Sequence, residues 1–132
     1  MRNSTKYFFV LFLIVSLFST KSFAHNEAFS GVQMAMAKGE VGYMSKYFDK
    51  MIDITMNNEV FTYSRSQAVL VIDNFFKNNP VDNYSVLHIG ESNDKVTMYI
   101  IGMLETKNHN FRIYVLMKNK GKDYWIQDIR FE

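Results

Sequence analysis

The side chains that could bind a metal or act as nucleophiles are few and lie far apart along the chain. The three histidines, His25, His88 and His109, are not spaced three or four residues from one another, and the chain has no cysteine. Zinc sites need several such ligands at short spacing. His25 would become the N-terminus after processing, where an amine and an imidazole can hold copper, but an exposed terminal residue is the simpler interpretation. We therefore expect no metal site, no thiol chemistry and no disulfide.

Motifs for covalent catalysis or cofactor binding are missing from the sequence. It contains no Gly-x-Ser-x-Gly elbow, no P-loop and no dinucleotide fingerprint, so we expect no cofactor. An acid enclosed by apolar side chains could still act as a general base, because burial raises its pKa. Asp49 falls at the end of a predicted helix. Asp53 lies between Ile52 and Ile54, whose side chains are expected on the inner face of their strand, so Asp53 is expected on the other face. Asp128 remains as a weak catalytic candidate.

The first 24 residues have the pattern of a secretory signal peptide. Arg2 and Lys6 precede an apolar run from Tyr7 to Phe18. Ser22-Phe23-Ala24 has small residues at the two positions that signal peptidase recognises before its cleavage site. The run is shorter than the roughly 20 apolar residues of a membrane span. We expect cleavage before His25, export to the periplasm or beyond, and no stable membrane anchor in the mature chain.

Loss of that segment changes the charge balance. The chain of 132 residues has 15 basic and 13 acidic side chains, and without Arg2, Lys6 and Lys21 residues 25–132 have 12 basic side chains against 13 acidic ones. Such a chain lacks the net positive charge with which proteins bind the phosphate backbone of nucleic acids, so no nucleic-acid partner is expected. With 48% hydrophobic residues, the mature part can form one folded domain.

Periodicity predicts helices early in the mature chain and mainly strands later. A first helix ends at Gly39 and a short second one runs toward Phe48. A hairpin turns at Asn57-Asn58, and Ser64 with Gln67 forms a capping box that starts a third helix. This order predicts an α+β fold with three helices on one face of a curved, mainly antiparallel sheet. The last four strands are expected at Tyr84–Ser92, Lys95–Thr106, Asn110–Lys118 and Asp123–Phe131.

Three stretches of the sequence carry a family resemblance. They are Lys38-Gly39-Glu40 leading to Tyr47-Phe48-Asp49, Tyr63-Ser64 through Gln67-Ala68 to Phe75-Phe76, and Phe111-Arg112-Ile113-Tyr114 running to Ile129-Arg130-Phe131-Glu132. Over about residues 28–132 the chain resembles domain of unknown function 4783, a family of small exported bacterial proteins with no agreed activity. The element order is similar to that of the nuclear transport factor 2-like (cystatin-like) superfamily. That resemblance implies a cone-shaped fold with an apolar pocket, in which ketosteroid-isomerase-like and dehydratase-like relatives place an acid or a histidine.

Pairing the predicted hairpins assigns alternate side chains to the two faces of the sheet. The face toward the helices is apolar and should form a core or a pocket for an apolar small molecule. Its predicted walls are Ile54, Phe61, Leu87, Met98, Ile100, Ile113, Val115 and Met117, with Ile52 and Ile89 beside them and Phe29, Met36, Ile72, Phe75 and Phe76 from the helices.

The register of the last strand has two alternatives. A two-residue turn at Lys120-Gly121 would point Tyr124, Ile126 and Asp128 inward. A three-residue loop would instead point Trp125, Ile129 and Phe131 inward. Asp128 can therefore lie in the cone only with the first alternative.

The opposite face of the sheet is too apolar and aromatic for a surface open to water. Scattered surface hydrophobic residues are common, but a contiguous patch rich in Tyr and Met is typical of an interface. Superfamily relatives often pair through this side, so the resemblance also implies a homodimer. The expected patch is Tyr84, Val86, Tyr99, Ile101, Met103, Tyr114 and Leu116, rimmed by His88, Glu105, Arg112 and Lys118, with Glu105 opposite Arg112.

Two functions of different classes follow from this sequence. The first is an exported, non-catalytic module that binds or self-associates, with a second copy or an apolar small molecule as its partner. The alternative is a small enzyme of the ketosteroid-isomerase or dehydratase type that uses Asp128 in the cone. Two converging polar groups in the folded pocket would favour the enzyme, whereas hydrocarbon alone would favour the module.

Overall fold

The computed structural model describes residues 27–132, and the predicted signal peptide lies outside these residues. Its helices are α1 (Glu27–Lys38), α2 (Gly42–Ser45) and α3 (Arg65–Asn78). Its strands are β1 (Phe48–Met56), β2 (Glu59–Ser64), β3 (Val81–Glu91), β4 (Thr97–Thr106), β5 (Asn110–Lys120) and β6 (Asp123–Phe131). Within the described part of the chain, no helix is long and apolar enough to cross a membrane.

The six strands form one sheet in the order β2-β1-β6-β5-β4-β3. β1 and β6 run parallel, and the other neighbours are antiparallel. Helix α1 packs on β3 and β6, while α3 packs on β1 and β2. We call the side that the helices cover the inner face and the opposite side the outer face. The predicted α+β architecture, with helices on one face of a curved sheet, is confirmed.

Local signals in the sequence explain several element boundaries. Gly39 adopts a φ of 64° after α1, a conformation that costs glycine little. Asn57 and Asn58 have φ values of 53° and 64°, which suit the tight turn between β1 and β2. The Ser64 hydroxyl accepts a hydrogen bond from the Gln67 amide at 3.4 Å, and the Gln67 side chain accepts one from the Ser64 amide at 3.1 Å. The predicted turn and capping box are therefore confirmed.

Aromatic and aliphatic side chains from α3 and the sheet meet in one core. The Phe75 ring lies 5.0 Å from the Phe111 ring and 4.2 Å from the Phe131 ring, measured between centroids. Phe76 contacts Phe75 edge-on at 5.8 Å. These contacts join the C-terminal half of α3 to β5 and β6, so the helix cannot leave the sheet without exposing the rings.

A bulge in β6 combines the two predicted registers of the last strand. Leu116 pairs with Asp128 and Met117 with Ile126, so Gln127 has no partner in β5. The extra residue moves the following side chains to the other face. Tyr124 and Ile126 lie inward before Gln127, as the two-residue turn predicts, and Ile129 and Phe131 lie inward after it. Trp125 pairs with Lys118 on the outer face, and Asp128 also lies there.

A second bulge, in β3, corrects two residues of the expected interface. Val86 pairs with Gly102 and His88 with Ile101, so Leu87 is the inserted residue. Tyr84 and Val86 precede the bulge and pack on the core of the inner face, not on the outer face as the sequence predicted. Leu87 is 56% exposed and does not line the cone.

The two edge strands leave further predicted core residues in contact with solvent. Phe61 pairs with Ile54 on the edge strand β2, and it is 54% exposed although Ile54 is buried. Ile89 pairs with Ile100 on the other edge and is likewise exposed. Phe61 is therefore not a buried wall of the cone, because no further strand covers it.

Candidate functional site

The inner face of β4 and β5 is filled by hydrocarbon. Ile100, Ile113, Val115 and Met117 have no solvent-accessible surface, and Ile54 is almost as buried. A side chain lining a space large enough for water would keep some accessible surface. The cone is therefore packed at these five predicted wall positions, while Met98 is half-buried at the end of β4.

One polar group on the inner face stands out. The Tyr84 ring crosses Gly102 so closely that a Cβ atom at Gly102 would lie 2.5 Å from the ring and its hydroxyl. The Tyr84 hydroxyl is buried and has no hydrogen-bond partner among residues 27–132. Burial raises the pKa of Tyr84 to about 12. Since this hydroxyl is not paired with a second polar group, it does not form the converging pair that acid–base catalysis requires.

The outer face holds a row of interacting polar and aromatic side chains across β3, β4, β5 and β6. His88 Nε2 lies 3.3 Å from the Tyr99 hydroxyl oxygen. The Tyr99 and Tyr114 rings stack with centroids 5.9 Å apart. The Arg130 guanidinium lies 4.9 Å from the Tyr114 ring centroid and donates hydrogen bonds to Asp128. These contacts hold the side chains in a fixed arrangement.

Asp128, the catalytic candidate, lies within this row and not inside the cone. Its Oδ2 accepts hydrogen bonds from Nε and Nη2 of Arg130 at 3.1 and 2.9 Å, while its buried Oδ1 has no hydrogen-bond partner in the part of the chain that the structure describes. These bonds raise the pKa of Arg130. Asp53 pairs with Asp128 across the parallel strands and accepts a hydrogen bond from Thr62. The expectation of a carboxylate enclosed by the apolar cone is thus not met.

The expected interface keeps five apolar side chains, which we call the outer patch. All five are half-buried and lie on the outer faces of β4 and β5: Tyr99, Ile101, Met103, Tyr114 and Leu116. At the rim, Arg112 pairs with Met103 and Glu105 pairs with Asn110. The predicted Glu105–Arg112 pair is therefore wrong by two residues, so the two charges lie diagonally on the same face.

An ionic cluster beside the β6 bulge was not foreseen from the sequence. Lys120 Nζ and Gln127 Nε2 donate to Asp49 Oδ2 at 2.6 and 2.9 Å, and the Lys50 amide donates to Oδ1. Burial opposes ionisation of Asp49, but these hydrogen bonds outweigh it and lower its pKa to about 2. Asp49 is the second residue of β1 and does not end a helix, and the bulge at Gln127 places that side chain within reach of it.

An open cleft of about 540 Å³ lies where α2, β1 and α3 meet. Three of its lining side chains are cationic, three carry hydroxyls and none is acidic. We call it the basic cleft, lined by Ser45, Lys46, Lys50, Ser64, Arg65, Ser66 and Val69. No local pattern in the sequence indicates this cleft, because its residues come from three separate segments. Across residues 27–132, no cluster of three His, Asp or Glu side chains could hold a metal ion.

Comparisons with known proteins identify the family. The model of the family described as "Domain of unknown function (DUF4783)" matches residues 29–132. The fold is similar to a DUF4783 protein from Bacteroides ovatus, with 27% identity, a TM-score of 0.74, and coverage of 77% of this chain and 91% of that one. A DUF4783 protein from Bacteroides fragilis has 30% identity, a TM-score of 0.72, and coverage of 76% and 93%. No curated protein matches the sequence.

A more distant likeness extends the fold assignment. A nuclear transport factor 2-like protein of unknown function from Shewanella baltica has 14% identity and a TM-score of 0.60, with coverage of 80% of this chain and 87% of that one. At this identity the likeness concerns the fold alone. The chain belongs to the DUF4783 family and has a nuclear transport factor 2-like fold.

Proposed function

We propose that this domain is a non-catalytic module that self-associates as a homodimer through the outer patch. The observation that carries the proposal is the contiguous group of half-buried apolar side chains on the outer faces of β4 and β5, next to the stacked Tyr99 and Tyr114. We place the module outside the cytoplasm because residues 1–24 match a signal peptide.

The packed cone favours a protein partner over an apolar small molecule. Ile100, Ile113, Val115 and Met117 leave no accessible surface for a ligand. The Tyr84 hydroxyl, close to these side chains, lacks the second polar group that would orient a substrate. Binding is then expected on the surface, where the outer patch offers apolar area.

The size of the outer face suits a small dimer. Four strands about 4.8 Å apart and roughly ten residues long, at about 3.3 Å per residue, cover about 630 Å² of sheet, so two copies would bury about 1,300 Å² in total. This is near the lower limit for a stable interface. Tyr and Met are enriched at the centres of interfaces, and the stacked tyrosines lose little freedom on binding.

The charges at the rim are compatible with two-fold symmetry. Glu105 lies beside one end of the outer patch, and Arg112 lies diagonally from it on the next strand. In a two-fold arrangement the same patch occurs on both copies, so an acid of one copy can meet a base of the other. The partner that best fits the patch is therefore a second copy of this chain.

Sedimentation equilibrium of the mature protein, purified from exporting cells, tests the proposal. We expect a dimer for the wild type and a monomer for the double variant Tyr114→Lys, Leu116→Lys, since four added charges would face one another across the interface. Leu70→Lys is the matched control, because Leu70 is 69% exposed on α3 and lies on the helix side. N-terminal sequencing of the same preparation should begin at His25.

Two results would overturn the proposal. A wild type that remains monomeric at high concentration would exclude the homodimer. A folded double variant that still dimerises would place the interface on another surface, and circular dichroism checks that this variant is folded.

A further inference from the structure

We propose that the basic cleft binds a phosphate group, in free form or as part of a small phosphate ester. The outer patch contributes no residue to this cleft, so the inference goes beyond the proposed self-association. Its basis is the convergence of Lys46, Lys50 and Arg65 on one open cavity.

The pairing of β1 with β2 explains why these residues meet. Met51 pairs with Ser64, which brings Lys50 of β1 next to Arg65 at the start of α3. The register between β1 and β6 shifts between Phe48 and Asp53, so Lys50 lies in an irregular part of β1. Lys46, just after α2, completes the group.

None of these three cations has an acidic partner among the described residues. Within residues 27–132 the ion pairs are Lys77–Asp73, Lys120–Asp49 and Arg130–Asp128, and no acidic side chain lines the cleft. Three positive charges around one opening repel one another, and an anion between them would remove that repulsion. This local charge contrasts with a mature chain that is nearly neutral overall.

Aromatic rings support two of the three cations. Lys46 Nζ lies 5.3 Å from the Tyr47 ring centroid, and the Arg65 guanidinium carbon lies 5.5 Å from the Trp125 ring centroid. A ring on one side still leaves the N–H groups of a cation free to donate to an anion. Both side chains are thus partly positioned without being neutralised.

The cationic donors of the cleft favour a tetrahedral oxyanion. Arg65 can pair with two phosphate oxygens and the lysines add point charges, whereas the hydroxyls of Ser45 and Ser66 already bond to the Gly42 carbonyl and the Ser64 hydroxyl. The capping box already occupies the Ser64 hydroxyl and the Gln67 amide, so the three side-chain cations, and not the end of α3, carry the inference. The volume of about 540 Å³ leaves space for an organic group attached to the phosphate.

Trp125 provides a direct reporter of binding. It is the single tryptophan of the chain and it contacts Arg65. We expect its fluorescence to change saturably when the mature protein is titrated with inorganic phosphate or glycerol phosphate, and not when sodium chloride is added at equal ionic strength. The double variant Lys46→Gln, Lys50→Gln keeps Arg65 and Trp125, and its phosphate affinity should fall about tenfold.

Lys77→Gln is the matched control, because Lys77 lies on α3 but pairs with Asp73 away from the cleft. It should bind phosphate as the wild type does. Vesicles containing phosphatidylglycerol distinguish the source of the phosphate. Vesicle binding that the double variant loses, without binding of free phosphate, would assign the cleft to a lipid headgroup and support the site.

Three results would overturn the inference. These are no saturable response to either phosphate or vesicles, an equal response to sodium chloride, or unchanged affinity in the double variant. Because sedimentation of the outer-patch variant measures dimerisation separately, failure of the phosphate site would leave the proposed self-association untouched, and the reverse also holds.

Discussion

Removal of the Tyr84 hydroxyl should make the protein more stable. The hydroxyl is buried without a hydrogen-bond partner, while its ring packs over Gly102. An unpaired buried hydroxyl costs roughly 1–3 kcal/mol. Tyr84→Phe keeps the ring and removes the polar atom, so we expect the free energy of unfolding at neutral pH to rise by about 1 kcal/mol. For a domain of this size that corresponds to a melting point about 4–8 °C higher.

The pH dependence of the same variant gives a second readout. The Tyr84 pKa is raised from 10.0 to about 12 in the folded protein by burial. Because the ionised form is disfavoured in the fold, the stability that protonated Tyr84 contributes is complete below pH 10 and is lost as the pH rises through 12. A shift of this size corresponds to about 2–3 kcal/mol. Tyr84→Phe has no hydroxyl to ionise, so the difference in free energy of unfolding between this variant and the wild type should increase above pH 10.

Urea unfolding followed by circular dichroism at pH 7 and pH 11 measures both effects. Tyr124→Phe is the matched control, because the Tyr124 hydroxyl donates to the Lys95 carbonyl at 3.0 Å and to Glu91 at 3.3 Å. Unlike Tyr84→Phe, that variant removes a hydroxyl that is hydrogen-bonded in the folded protein, so its free energy of unfolding should fall by about 1 kcal/mol. If Tyr84→Phe is destabilised to the same degree, its hydroxyl has a partner and our description of the inner face is wrong.

Two further predictions test the face assignment and the ionic cluster. Ile100→Asp should unfold the domain, because an unpaired buried carboxylate typically costs several kcal/mol, whereas Ile101→Asp, one residue away on the outer face, should stay folded. Thermal melts compare the two, and an Ile100→Asp protein with an unchanged melting point would refute the register of β4. Asp49 has its pKa lowered to about 2, so the stability it contributes is present above pH 4 and lost as the pH falls toward 2. In Asp49→Asn, the acid-induced decrease in the free energy of unfolding should be smaller by about 1–2 kcal/mol, which is less than the full pKa shift corresponds to because Lys120 is half-exposed. Acid titration followed by circular dichroism measures this difference. An unaltered unfolding profile would show that the cluster does not contribute to stability.

The parts of the fold that short-range chemistry determines could be predicted from the sequence. The capping box at Ser64 and the turn at Asn57-Asn58 each depend on residues within four positions of one another. The alternation along β4 and β5 placed Ile100 and Ile113 inward, because neither strand has a bulge in its pairing. Periodicity is reliable in such stretches.

The two bulges could not be located by the same reasoning. A single inserted residue reverses every later side chain, and the alternation around Leu87 and Gln127 does not show where the insertion lies. Gly102 did offer a signal, since a glycine inside a strand often marks a close approach by another group. Here that group is Tyr84, which the sequence had assigned to the opposite face.

The candidate surfaces were predicted to different extents. The outer patch comes entirely from two adjacent strands joined by a short loop, so hairpin pairing placed its residues together. The basic cleft and the Asp49 cluster join residues distant in the chain, including Asp49 with Gln127. Their assembly depends on the parallel pairing of β1 with β6 and on the packing of α3, which no local pattern encodes.

The inserted Leu87 also has a consequence for solubility. β3 forms one edge of the sheet, and an edge strand offers unpaired N–H and C=O groups to strands of other molecules. Regular pairing of an incoming strand requires an even spacing of these groups, and the bulge at Leu87 interrupts it midway along β3. The opposite edge, β2, has only six residues. Both features oppose open-ended growth of the sheet into fibres by addition of strands at its edges.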